Sequence, residues 1–147
     1  MFNITALIQV IASFFGTLGF GFLFNIRGKK LFFAAIGGML SWGLFLLLGG
    51  IIPNEAIRYL LVSLCSTTYA EILARLLKTP ATTFSIITLI PLVPGGALYH
   101  TATFAMGGHA SQFVEKLVYT IELSLALSLG IVIVTAVFKY LRKLKKV

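Results

Sequence analysis

Residues 90–96 read Ile90–Pro91–Leu92–Val93–Pro94–Gly95–Gly96 and lie near the middle of a mostly apolar stretch from Thr82 to Met106. Each proline removes a backbone donor and crowds the preceding helical turn. The two glycines that follow accept almost any backbone angle. The run therefore predicts a helix that stops and restarts halfway through a membrane crossing. Such a break leaves carbonyls and amides unpaired, which hydrocarbon tolerates only where the break is buried in protein or lines a wet cavity. Transporters use discontinuous helices in this way. A second half-helix starting at Gly95–Gly96 would present free N–H groups and the positive end of its dipole to a carboxylate. The carbonyl end of the first half, around Ile87 to Ile90, would face an ammonium group or a cation. A plain structural proline kink is the alternative. The polar stripe downstream, Tyr99, His100, Thr101 and Thr103, favours a ligand site. Thr103 follows Tyr99 by four residues, on roughly one helix face. Tyr99 and His100 stand one turn past the break.

The surroundings of this run are those of a membrane protein. Of 147 residues, 59% are hydrophobic and only 11% charged, with a mean hydropathy of +1.01. A soluble domain is about a quarter charged, and so few charges cannot cover this much apolar surface in water. A membrane-spanning helix needs about 20 mostly apolar residues. Candidate stretches are 4–24, 31–52, 56–77, 82–106 and 113–140, joined by short connections and followed by a basic tail, 141–147. The expected fold is all-α: one polytopic membrane domain over 1–147, with five transmembrane helices, the fourth broken at Pro-Leu-Val-Pro-Gly-Gly. Thr79–Pro80 is expected to start the fourth, with Thr79 as cap and Pro80 in the first turn. The N-terminus lacks a basic leader region and an A-x-A-like cleavage site, so the first span is expected to remain.

Charge sets an orientation. Ten of the twelve basic residues fall at alternate span ends: Arg27, Lys29, Lys30, Arg75, Lys78, Lys139, Arg142, Lys143, Lys145 and Lys146. Arg58 and Lys116 remain on the other side. The positive-inside rule puts the ten in the cytoplasm, with the N-terminus outside and the C-terminus inside. The basic tail directly after a span suits anionic lipid headgroups. It has none of the interleaved aromatics of single-strand nucleic-acid binders, and no nucleic-acid partner is expected.

Small residues repeat through the first two spans at Gly16, Gly19, Gly21, Gly37, Gly38, Gly43, Gly49 and Gly50. They read as close helix packing, with helix sliding as the alternative. Trp42, in mid-span, is expected to face another helix. Glu71 and Arg75 share one helix face, either as an interfacial ion pair or as a gate at the cytoplasmic mouth. A lone carboxylate in lipid is costly, by about 2.5–3.5 kcal/mol on insertion scales. Glu122, with no partner in local sequence, should therefore face protein or water, and is a candidate for proton coupling. His100 lies within the membrane, where an imidazole serves hydrogen bonding or proton exchange. Glu115 and Lys116 open the fifth span near the outer surface. Cys65, the only cysteine, reads as packing.

The sequence has no CxxC, HExxH, P-loop or GxSxG, and its two histidines and four carboxylates are scattered. No metal, cofactor or catalytic centre is expected, and the chain is not expected to be an enzyme. Asn3–Ile4–Thr5 matches a glycosylation sequon, a pattern short enough to arise by chance.

Several motifs together resemble the threonine/serine exporter family. They are Phe24–Asn25 after a Gly-Phe-Gly run, Tyr69–Ala70–Glu71–Ile72–Leu73–Ala74–Arg75, Lys78–Thr79–Pro80–Ala81–Thr82, and above all the Pro-Leu-Val-Pro-Gly-Gly run with Tyr99. The resemblance is to the C-terminal membrane half, which in many bacteria is a separate short protein. It implies a bacterial inner-membrane exporter of threonine and serine driven by the proton motive force. A similar two-component member is linked to succinate. It also implies a larger membrane partner resembling the N-terminal half of the fused exporter, with a homo-oligomer also open.

The expected role is thus a subunit of a secondary-active exporter of small metabolites. Its substrate site would comprise Pro91, Pro94, Gly95, Gly96, Tyr99, His100 and Thr103, with Glu71, Arg75 and Glu122 in gating or proton coupling. The rival expectation is a non-transporting subunit that stabilises a larger membrane partner through its glycine-rich faces.

Overall fold

A computed structural model describes residues 4–144. The sequon at Asn3 and the basic residues Lys145 and Lys146 lie outside the described residues. The chain is all-helical, with no strand among those residues. Its helices are α1 (Ile4–Leu23), α2 (Lys29–Gly49), α3 (Glu55–Leu76), α4 (Ala81–Leu89), α5 (Gly95–Met106) and α6 (Ala110–Leu144). A short 3₁₀ turn, Ile90–Leu92, follows α4. The helix ends are built from local chemistry. Asn25 takes a left-handed backbone (φ 56°), which asparagine tolerates better than most residues. This lets Ile26 N–H reach Gly21 O at 2.9 Å and Asn25 N–H reach Phe22 O at 2.9 Å, closing α1 with a Schellman motif. Asn54 caps α3 by accepting from Ile57 N–H at 3.1 Å. Thr79 does not cap α4: its hydroxyl donates back to Leu77 O at 3.0 Å. Pro80 itself holds the N-cap position.

Length and composition qualify three helices as membrane crossings: α1, α2 and α6. The α4–α5 pair, bent by 62°, makes a fourth if it is one span. The α3 helix, the third of the five expected, is long enough but falls short in hydropathy. The physical reason is its place in the bundle. It packs against α2, α4 and α6 and buries Ser63, Ser66, Thr67 and Glu71 along with its apolar residues. A helix that buries its polar face against protein need not be apolar all round, and the exposed stripe of α3, with Ile57, Leu61, Ile72 and Leu76, is apolar. In contrast, α1 packs mainly on α2 and leaves Leu7, Ile8, Ile11 and Phe15 exposed. The α5 helix packs on α6.

Glycines set the tightest crossings. A side chain at Gly130 on α6 would run into Ser63 on α3 and come within 3.0 Å of the Leu60 carbonyl. One at Gly37 on α2 would meet the Tyr69 ring at 2.6 Å, and one at Gly38 would overlap Thr17 on α1. Buried hydroxyls add polar links: Ser41 with Ser66 at 2.6 Å joins α2 to α3, and Thr101 with Thr120 at 3.0 Å joins α5 to α6. Gly130→Leu should therefore destabilise the bundle, by about 1–3 kcal/mol from overpacking. Gly16→Leu, at a position where an added Cβ would meet nothing within 4 Å, should stay within about 0.5 kcal/mol of the parent. Thermal unfolding of the detergent-solubilised variants checks both.

Candidate functional site

The geometry of the break follows from its residues. Helix α4 closes when Ile90 N–H donates to Ile87 O, and Val93 N–H then donates to Ile90 O at 3.1 Å. Pro94 adopts φ −73° and ψ 56°, the conformation of an inverse γ-turn. Across it, Gly95 N–H donates to Val93 O at 2.7 Å. Helix α5 starts at Gly95, and Leu98 N–H returns to Pro94 O at 3.0 Å. Two sequence expectations change here. The Gly95 amide is already engaged, and the Ile87 and Ile90 carbonyls already accept bonds. The N–H groups without a backbone acceptor in this first turn are those of Gly96 and Ala97.

Gly96 and Ala97 line a cavity of about 270 Å³. The break supplies one wall through Pro91, Val93, Pro94 and Gly95, and His100 continues it along α5. Helix α2 contributes Trp42. Helix α3 contributes Glu55 and Tyr59 from its first turns. Helix α6 contributes Lys116, Tyr119 and, at the apolar floor, Leu123. The Tyr119 hydroxyl donates to Glu55 Oε2, fixing α6 to the start of α3. An aromatic row stiffens the α2 side: Trp42 stacks on Phe45 at 5.3 Å, Phe45 meets Tyr59 edge-on at 4.9 Å, and the Arg58 guanidinium sits 4.8 Å over Phe45.

The charges in this cavity are opposite and unpaired. The single ion pair among the described residues joins Arg75 to Glu71, at 4.0 Å. Glu55 and Lys116 are thus not bonded to each other, although both line the same space. The cavity combines a carboxylate, an ammonium group, two amide donors, two phenols and an imidazole. It can bind and orient a small polar solute; no group of three or more His, Cys, Asp or Glu that could hold a metal ion stands among the described residues.

The sequence-predicted residues divide into groups. Pro91, Pro94, Gly95, Gly96 and His100 line the cavity. Tyr99 is 68% exposed and Thr103 is exposed, its hydroxyl turned onto Tyr99 O at 2.9 Å; neither lines the cavity. Glu71 is buried on α3, sixteen positions further along the helix than Glu55. Glu122 is exposed on the outer face of α6 and does not reach the cavity. Sequence reasoning missed Glu55, Tyr59, Lys116 and Tyr119. The available signal was that Glu55 and Lys116 carry opposite charges at span ends on the same side.

A family model described as "Threonine/Serine exporter, ThrE" matches residues 9–137. The chain belongs to the threonine/serine exporter family. The match begins inside α1 and ends inside α6, so the break and every cavity residue fall within it. No curated protein and no solved structure matches the chain. Membership in this exporter family carries a membrane-transport role of the threonine/serine exporter type, and the family is not one of enzymes. For this exporter-family chain, the geometry predicts a wet cavity beside a dry core. With Cys65 replaced by serine, Ala97→Cys should react readily with a small water-soluble thiol reagent. Ile87→Cys, at a fully buried position, should not.

Proposed function

We propose that the chain is the solute-binding subunit of a secondary-active exporter in a bacterial cytoplasmic membrane, driven by the proton motive force. The single observation that carries this reading is the cavity at the helix break, lined together by Glu55, Lys116, Gly96 and Ala97, the last two with amides that have no backbone acceptor. A small amino acid presents a carboxylate and an ammonium group. Lys116 and the α5 amides complement the first, and Glu55 complements the second. Tyr59, Tyr119 and His100 offer partners to a side-chain hydroxyl such as that of threonine or serine. A site with one fixed charge of each sign suits a zwitterion better than a dicarboxylate such as succinate. The cavity volume, about 270 Å³, lies just below the range of about 300–1,000 Å³ for drug-sized ligands.

In this reading α3 is also a membrane crossing, which gives five. Its charged residues cluster at its two ends, Glu55 and Arg58 at one and Glu71 and Arg75 at the other. Glu55 and Arg75 are twenty residues apart, or about 30 Å of helix, the thickness of a hydrocarbon core. The N-terminus is outside and the basic end of α6 cytoplasmic, where it meets anionic headgroups. A larger membrane subunit resembling the N-terminal half of the fused exporter completes the transporter. The exposed Glu122, in mid-helix among Val118, Ile121 and Leu125, supports such a partner, since a carboxylate facing lipid is costly.

Cells loaded with a threonine-containing dipeptide test the function. Expression should raise threonine or serine efflux, and Glu55→Gln or Lys116→Met should return it to the level of cells lacking the chain. If deleting the chain and its partner leaves efflux of threonine, serine and succinate unchanged, the assignment is wrong. Gly95→Leu with Gly96→Leu separates transport from a purely assembling role. A Cβ added at either position meets nothing within 4 Å, so the complex should persist while export is lost. Trp42, the only tryptophan, lines the cavity, so its emission should change on threonine addition in the parent protein.

A further inference from the structure

The chain has four acidic side chains, and one of them is buried away from the cavity. Glu55 lines the cavity and accepts the Tyr119 hydroxyl. Glu115 and Glu122 are exposed on α6. Glu71 is 5% exposed, and its Oε2 has no hydrogen-bond donor. Its one cationic neighbour, Arg75, stands 4.0 Å away and is itself 45% exposed, its guanidinium drawn 4.4 Å over the Phe138 ring on α6. One turn before Glu71 on the same face, Thr67 is fully buried, and its hydroxyl oxygen also has no partner. This is unlike other hydroxyls of the bundle. Thr68 turns back to Leu64 O at 2.7 Å and Thr88 to Phe84 O at 2.8 Å.

We propose that Glu71, between Thr67 and Arg75, is the proton-binding group that couples export to the proton gradient. This rests on the transport reading above and assigns the coupling site within it. In the protonated state the Glu71 O–H donates to Thr67 Oγ1, and both buried oxygens gain a partner. In the other state the proton leaves to water at the mouth where Arg75 is exposed, and the carboxylate closes on the guanidinium. One proton is bound and one released per cycle, with no other bond changed. A proton fits better than a metal cation because the pocket offers one carboxylate and one hydroxyl, far short of the six or more oxygens a hard cation takes.

The charged surroundings are simple. Helix α4 carries no titratable side chain. Helix α2 brings only Lys29 and Lys30, exposed in its first turn. Near this end, helix α6 brings Lys139, Tyr140, Arg142 and Lys143, and the α3–α4 loop Lys78, all exposed. The α1–α2 turn, whose Ile26 shares a core cluster with Ala70, Leu73 and Ala74, brings Arg27, also exposed. On α3 itself the Tyr69 hydroxyl donates to Phe33 O. None of these cations lies within 4.0 Å of Glu71. Glu71 and Glu55 are sixteen residues apart on one helix, about 24 Å at the α-helical rise. The proton and the solute thus act on opposite ends of α3, and its displacement links them.

Inside-out membrane vesicles containing the protein in its natural assembly provide the test. The parent protein should accumulate labelled threonine when the lumen is acidified. Glu71→Gln should lose this accumulation while keeping threonine–threonine exchange at equal concentrations, and Glu71→Asp should restore part of it. A purely structural ion pair would change both activities together. Dicyclohexylcarbodiimide, which modifies protonated carboxyls in apolar surroundings, should label Glu71 of the parent protein, less as pH rises, with no variant needed. Acid-driven accumulation that survives in Glu71→Gln but fails in Glu122→Gln overturns the assignment, as does labelling of Glu122 with none at Glu71. Accumulation driven by sodium in place of a pH gradient also overturns it. If the parent vesicles move no threonine, serine or succinate, the transport reading itself fails.

Discussion

An unpaired peptide group in an apolar medium is so costly that a membrane chain is organised around avoiding it. Two prolines and two glycines at residues 91–96 make the avoidance impossible by ordinary helix bonding. The chain responds locally, with a 3₁₀ turn over Ile90–Leu92 and a γ-turn that ties Gly95 N–H to Val93 O. What the local solution leaves over, the amides of Gly96 and Ala97, belongs to residues that line the cavity between α2, α3 and α6. The residues opposite are polar too: Glu55, two tyrosines and Lys116 line the same space.

With this lining, the middle of the bundle is more polar than its outside. Helix α3 buries hydroxyls and Glu71 on the face that packs against α2, α4 and α6. Helices α1 and α6 present Ile, Leu, Val and Phe outward. The usual soluble-protein arrangement, apolar within and polar without, is thus inverted in part. Contacts between helices then depend on close approach at Gly37, Gly38 and Gly130 and on hydroxyl links such as Ser41 to Ser66.

Much of this was legible in the chain. Hydropathy located α1, α2 and α6, and the Pro-Leu-Val-Pro-Gly-Gly run located the bend between α4 and α5. The spacing of Glu71 and Arg75 gave their shared face. Three kinds of feature were not legible. The Glu55–Tyr119 bond joins residues 64 positions apart, and no local pattern says that α3 lies beside α6. The engagement of Gly95 depends on the backbone angle of Pro94, which chooses between turn types of similar sequence. Tyr99, Thr103 and Glu122 share helices with cavity residues, and only the rotation of those helices in the bundle decides which side chains face inward. The hydropathy of α3 stays below that of α1, α2 and α6, and the hydroxyls and Glu71 that lower it are buried against its neighbours.

The 35 residues of α6 have a geometrical consequence. At 1.5 Å per residue the helix is about 52 Å long, against a hydrocarbon slab of about 30 Å. Even the steepest inclination seen among membrane helices, about 40° from the normal, accommodates roughly 39 Å of it. At least two turns must therefore stand clear of the oily layer. The end carrying Lys139, Arg142 and Lys143 is the one suited to emerge, because cations there also face the negative pole of the helix dipole. The same rod carries Tyr119 near its other end, so a force applied to the protruding stub would tilt the cavity wall like the long arm of a lever.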